Sequence, residues 1–404
     1  MSGALHFVLV GAFWGAAVLT LYTYVGYPAW IYFRSRWHAQ TWRQAPIFPT
    51  VSIILVVHNG AALLRRQINR LLSLDYPADR FDLVVVSDGS TDNTDEILNS
   101  ISHPAVKSIR CPERRGKAAA VNIGMQNSSG EIQLFVDIRP ELEIDAVKLL
   151  VSNFSDPSVG CATGELILHD EGHTTGAKAV GGFYWRYEAW IRKCESLVDS
   201  PLGVYGGFYA VRRELARALP EGSILDDVWQ PLSVIRQGFR SIVDDRARVH
   251  DTWPANLKGE FNRKVRTLAG NFQLLQQAPW VLSRENRLRF ELISHKLMRL
   301  LVPVLLVALL ISSSILAFSS RFYAGALAGQ LLLCTIAAVG TRCGLPIVVR
   351  IAGAGRAFCM LNAAIVVGFY KFLFVQEQLW KIWVPTAGLP PAVLHEEDKA
   401  ERAA

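Results

Sequence analysis

Three acidic sites stand out by where they fall: Asp88 in SDGSTDNT, Asp137 in LFVDIR and the pair Asp226-Asp227 in ILDDV. Each lies where a predicted strand ends. A carboxylate in such a place can accept hydrogen bonds from a nucleoside or ligate a hard cation. The ordinary use of one such residue is a turn or a helix cap, and Asp92 reads as a cap. Three acidic sites on one sheet, together with the basic run Arg114-Arg115-Gly116-Lys117, suit a nucleotide diphosphate instead. The carboxylates would serve base, ribose and metal, and the cations would take phosphate oxygens.

These side chains need a sheet to hold them. VSIILVVHNG and FDLVVVSDGSTDNT bracket a helical pattern, Leu63, Leu64, Ile68, Leu71 and Leu72, with Arg65, Arg66 and Arg70 on the other side. That is a βαβ unit, and open parallel sheets bind ligands outside the carboxyl ends of their strands. The alternation continues to about Asp251. Strands are predicted at 51–57, 83–87, 106–110, 132–136, 159–167 and 205–211, and helices at 92–100, 117–126, 144–154 and 180–196. The expected fold class is α/β, a Rossmann-like nucleotide-binding domain over residues 46–252.

Residues 4–33 contain no Lys, Arg, Asp or Glu, and about 20 apolar residues suffice to span a bilayer. The run is too long for a signal-peptide core and has no basic residues ahead of it, so an uncleaved anchor over residues 1–33 is expected. Arg34, Arg36 and Arg43 follow, which places the next domain in the cytosol by the positive-inside rule. Further spans are predicted at about 298–318, 323–340 and 357–375, with Arg342, Arg350 and Arg356 in a cytosolic connection. Between domain and spans, residues 253–297 are basic and amphipathic, as helices on a membrane surface would be. The C-terminal span region closes at 376, and a mixed tail, 377–404, carries Trp380 and Trp383. This describes a multi-pass membrane protein.

The formal charge of +7 follows from Arg and Lys beside the spans and anionic lipid, and no nucleic-acid partner is expected. The six cysteines form no CxxC pair and read as small apolar residues in a reducing compartment. His250 and His295 read as structural. The aromatic segment 184–190 suits either a sugar face or an interfacial helix.

Taken in order, VSIILVVHNG, SDGSTDNT, RRGKAAAVNIG, GEIQLFVDIR, YGGFYAVRREL and ILDDV resemble family 2 glycosyltransferases over about residues 49–271. They most resemble the membrane-integrated branch of hyaluronan, chitin, cellulose and other exopolysaccharide enzymes. The resemblance implies a type A glycosyltransferase (GT-A) fold, inversion at the anomeric carbon of a nucleotide sugar and a place in the cell inner (plasma) membrane. The implied donor is a UDP-sugar, UDP-N-acetylglucosamine being the first to consider. His58, Asn59 and Asp88 would face the nucleoside, and Lys117 the nucleotide or phosphate. Asp137 would hold a divalent cation, Mg2+ or Mn2+. Asp227 matches the catalytic base, with Asp226 where the motif usually has Glu. Tyr205, Gly206 and Gly207 would line the acceptor side.

Two departures qualify the resemblance. The metal motif D-x-D reads Asp137-Ile138-Arg139, and Arg139 cannot ligate a cation; Glu141 and Glu143 stand nearby. The QxxRW motif of processive enzymes reads Arg263-Lys264-Val265-Arg266-Thr267. Arg263 and Arg266 remain to clamp a diphosphate, but the acceptor-stacking Trp is missing. The leading expectation is a membrane-bound inverting enzyme extending a cell-surface polysaccharide, with synthase or export partners. The alternatives are transfer of one sugar to a polyprenyl phosphate or other lipid-linked acceptor, and a degenerate scaffold.

Overall fold

The structure, a computed structural model, describes residues 2–169, 176–253, 257–340 and 346–375. Arg342 and the tail expected over 377–404, with Trp380 and Trp383, lie outside the described residues. Among the described residues eight strands form one sheet: β1 (Val51–Val57), β2 (Phe81–Asp88), β3 (Val106–Cys111), β4 (Ile132–Val136), β5 (Glu141–Leu142), β6 (Val159–His169), β7 (Phe208–Arg212) and β8 (Arg240–Thr252). Their order is β3-β2-β1-β4-β7-β6-β8-β5. The first four in that order run parallel, with Val51 opposite both Phe81 and Ile132, and β7 then runs antiparallel to β4. This is the α/β class expected.

Eleven helices are used here: α1 (Gly3–Trp37), α2 (Ala61–Leu72), α3 (Thr94–Asn99), α4 (Lys117–Gln126), α5 (Ala146–Ser152), α6 (Gly176–Val198), α7 (Asp226–Arg236), α8 (Leu257–Gln277), α9 (Arg289–Leu316), α10 (Arg321–Val339) and α11 (Pro346–Phe374). The central strands are continuous apolar runs because helices cover both faces of the sheet. Leu64, Ile68 and Leu71 of α2 join Ile53, Leu55 and Leu83 on one face; Ala118 and Val121 of α4 join Ile54 and Phe135 on the other. Arg66 and Arg70, on the polar side of α2, both reach Glu141 at 2.5 Å.

Several boundaries differ from expectation. Tyr205, Gly206 and Gly207 precede β7 in a turn closed by the Phe208 N–H on the Tyr205 carbonyl, at 3.0 Å. Strand β8 has no counterpart among the predicted strands, because Asp244, Asp245, Arg246 and Arg248 break its alternation; pairing with β6 makes it a strand. Helix α3 begins at Thr94, and Asp92 stands before it as a cap, accepting the N–H groups of Thr94 and Ala61. The helix expected over 144–154 is α5, ending in a 3-10 turn at Asn153–Ser155.

Four helices among the described residues are long and apolar enough to cross a membrane: α1, α9, α10 and α11. Helix α9 begins at Arg289 rather than near 298, because the helical backbone continues through a π-helical turn at Leu292–Leu297. Arg356 lies inside α11, not in a connection, and donates to the Ala337 and Ala338 carbonyls at the end of α10. Helix α8 buries Ala269 and Leu274 against Leu225 and Val228 of the sheet domain and against Phe372 of α11. The aromatic segment of α6 turns Tyr184 and Tyr187 to Arg299 of α9, with ring centres 5.9 and 5.7 Å from the guanidinium.

Candidate active site

The site begins where β1 and β2 end. His58 Nδ1 lies 2.8 Å from the Asp88 carbonyl oxygen. Asn59 adopts φ +53°, a left-handed turn that asparagine tolerates, and its Oδ1 accepts the Thr91 N–H at 2.7 Å. Asp88 is buried, and its two carboxylate oxygens accept the N–H groups of Arg115 and Gly116 at 2.7 and 2.8 Å. The structure therefore sets this carboxylate on the N-terminus of α4, which Gly116 enters at φ +90°. Lys117 is the first residue of that helix.

Lys117 is where the acidic sites meet. Its Nζ lies 3.1 Å from Asp137 Oδ1, at the end of β4, and 3.2 Å from Asp226 Oδ2, at the start of α7. Burial disfavours the ammonium, but Asp137 and Asp226 outweigh it and raise the Lys117 pKa. Backbone bonds tie the same groups together: the Asp137 N–H donates to the Gly207 carbonyl at 3.3 Å, and the Val204 N–H to the Asp227 carbonyl at 2.9 Å. A Cβ on Gly207 would strike the Tyr205 ring, 2.6 Å from its hydroxyl oxygen. Tyr205 points its hydroxyl at Asp251, 3.4 Å away.

Asp227 differs from its neighbour. Burial, and then the charge of Asp226, push its pKa up to about 6, while Lys296, Lys117 and Arg266 pull the other way. A carboxylate so placed can accept a proton near neutral pH.

The two arginines of α8 part company. Arg263 spends Nε and Nη2 on the buried Glu260 of its own helix, at 2.9 and 3.0 Å. Arg266 faces Asp226, Asp137 and Asp227; burial first, against their attraction, lowers its pKa, and its buried Nε has no partner among the described residues. A diphosphate oxygen would satisfy it. Lys296, on α9, comes to the main chain of Asp227 beside Gly203. No local pattern marks it, because it belongs to a basic amphipathic stretch far along the chain.

Arg139 turns to Asp251 at 3.1 Å, Glu141 is held by Arg66 and Arg70, and Glu143 lies 3.0 Å from His250 Nε2. None of the three joins Asp137. No group of three or more His, Cys, Asp or Glu side chains among the described residues is gathered to hold a metal ion. Asp137, with 42% of its side chain exposed, is a single hard oxygen donor that fits a divalent cation completed by diphosphate oxygens.

Comparison with known proteins bears on the family and the fold. The sequence profile of Glycosyl transferase family 2 matches residues 52–219. The chain is 24% identical over 236 residues to probable glycosyltransferase YdaM of Bacillus subtilis, covering 55% of each chain. It is 23% identical over 235 residues to the poly-beta-1,6-N-acetyl-D-glucosamine synthase of Staphylococcus epidermidis, covering 57% of this chain and 56% of that one. The chain thus spans about half the length of the curated relatives it matches. In three dimensions it is similar to the mannosyltransferase PcManGT of Pyrobaculum calidifontis, solved with GDP-Man and Mn2+, with a TM-score of 0.67, 22% identity, and coverage of 92% of this chain and 98% of that one. That likeness gives the sheet and its helices a GT-A-like fold. With its motifs gathered at one end of this sheet, the chain carries, across residues 52–219, a glycosyl transferase family 2 domain.

Proposed function

We propose that this chain is a membrane-bound inverting glycosyltransferase that moves a sugar from a nucleotide-sugar donor to a hydroxyl of a growing cell-surface polysaccharide. The observation that carries the reading is Asp227, a buried carboxylate with its pKa pushed up to about 6, beside Gly206 and close to Lys117 and Arg266. Inversion needs one such group. Asp227 takes the acceptor proton as the hydroxyl oxygen attacks the anomeric carbon and the nucleoside diphosphate leaves. Lys117 and Arg266 take the charge that develops on the diphosphate. His58, Asn59 and Asp88 build the nucleoside end, and Tyr205, Gly206 and Gly207 the acceptor end. Asp137 with diphosphate oxygens would hold a divalent cation, which supplies further charge neutralisation.

The alternative acceptor, a polyprenyl phosphate, brings its own anionic oxygen and needs no base. It would also have to approach Asp226 and Asp227 together. A neutral hydroxyl suits that pair better, whether it belongs to a polysaccharide or to a glycolipid. Among the relatives, one is named for a polysaccharide and another, beta-monoglucosyldiacylglycerol synthase of Synechocystis, for a glycolipid. We place the domain on the cytosolic side of the inner membrane, with α1, α9, α10 and α11 crossing it.

The test is nucleoside diphosphate release by the purified full chain in detergent, across UDP-sugars and GDP-mannose, with Mg2+ or Mn2+ and extracted membrane glycans as acceptor. Turnover with one donor that disappears in Asp227→Asn, while nucleotide still binds, supports the reading. Nucleotide binding without release from any donor overturns it in favour of a scaffold.

A further inference from the structure

Helix α9 is apolar along most of its length, yet between Leu292 and Arg299 it carries three basic side chains, His295, Lys296 and Arg299, where the chain meets the sheet domain. Two of them are accounted for. His295 is buried, with Nδ1 2.6 Å from Glu195 Oε1 and Nε2 3.3 Å from Glu188. Arg299 pairs with Glu188, and Tyr27 of α1 donates to Glu195 at 2.6 Å. This cluster locks α9 to α6 and α1.

Lys296 takes no part in it. Successive helical residues point about 100° apart, so with His295 set on α6, Lys296 leaves in another direction. Its Nζ stands 3.5 Å from where a Cβ on Gly203 would be, and the Asp227 carbonyl oxygen stands 3.4 Å from that same point. The ammonium and the main-chain carbonyl of Asp227 therefore flank one glycine. Among the described residues Lys296 makes no hydrogen bond and no ion pair.

We propose that Lys296 is a positioning residue for the reaction: its ammonium, delivered from an apolar helix and seated beside the Asp227 main chain at Gly203, is the fixed positive charge that the fold sets against the base. This rests on the reading of Asp227 as base. The charged and titratable groups around Asp227 are Asp226 on its own helix, Lys117 on α4, Arg266 on α8, Tyr209 on β7 and Lys296 on α9. Lys117 is shared between Asp137 and Asp226, and Arg266 faces three carboxylates. Lys296 is the cation in that set that α9 contributes. The locked cluster next to it fixes where that cation stands, so the seating of α9 on the domain bears directly on the base.

The experiment compares wild type with Lys296→Met, Lys296→Gln and Lys296→Arg as full chains in detergent. Carbon-13 NMR of labelled aspartate, with Asp227→Asn identifying the signal, follows the carboxylate's titration without any need for turnover. The midpoint is expected to rise by about one pH unit in the Met and Gln variants, as loss of a nearby opposite charge predicts, and to return in Lys296→Arg. The acidic limb of the transfer rate should move with it, while nucleotide Kd stays the same. A midpoint that is unchanged in both neutral variants overturns the proposal. If wild type turns over no donor, the functional reading fails separately, and the titration still decides the role of Lys296.

Discussion

A Cβ atom on Gly206 would stand 3.0 Å from the Cβ of Asp227 and 3.6 Å from its Oδ2. That gap lets the turn before β7 close over the start of α7. Gly206→Ala requires Asp227 to yield by a few tenths of an ångström. Because catalytic geometry is steep in distance, kcat is expected to fall about tenfold with nucleotide Kd unchanged. Equal loss in kcat and nucleotide affinity would mean that the turn, not the base, had been disturbed.

Asp227 predicts a pH profile. Only its ionised form accepts a proton, so transfer should fall as pH drops through about 6 and level off above it. Asp227→Asn should reduce transfer by about 10²–10⁴-fold at neutral pH, the usual contribution of a general base.

The same shift has a stability consequence of the opposite sign. The folded pKa, about 6, lies above the ordinary 3.8, so the native state binds this proton more tightly than the unfolded chain. Ionised Asp227 therefore costs stability above pH 6, and the cost fades as pH falls toward 4. Asp227→Asn should raise Tm at pH 8, with the gain shrinking at pH 4; thermal unfolding in detergent at both values tests it.

Lys117→Met would leave Asp137 and Asp226 facing each other without their shared ammonium. Hydrogen bonds to charged groups contribute about 1.5–3 kcal/mol, so nucleotide Kd should weaken roughly ten- to a hundredfold. Calorimetric titration with the donor nucleotide measures this directly.

Arg263 and Arg266 should separate cleanly. Arg263→Ala removes both guanidinium bonds from the buried Glu260, leaving it Lys264 at 3.7 Å, and should lower Tm with little change in nucleotide Kd, because the Arg263 guanidinium is committed within α8. Arg266→Ala should weaken nucleotide binding by about tenfold, the value of one charged contact to phosphate. The reverse pattern would assign the clamp to Arg263.

Much of the scaffold was legible in the sequence. β1, β4 and α4 match the expected bounds, 51–57, 132–136 and 117–126, because an unbroken apolar run or a clear start signal is local information. Asp88 and Asp137 stand at the ends of β2 and β4, as those patterns imply, whereas Asp226 and Asp227, expected at a strand end, open helix α7. What the residues do to one another was decided in three dimensions. Lys117 reaches Asp226 across 109 residues of chain, Asp88 turns inward to backbone N–H groups, and Arg263 is captured by Glu260 while Arg266 faces the site. β8 is a strand through its pairing with β6, and Lys296 comes to Gly203 beside the Asp227 carbonyl because α9 docks on the domain. Periodicity reports which face of an element is buried; it carries no record of which distant charge arrives there, since that depends on how the elements pack.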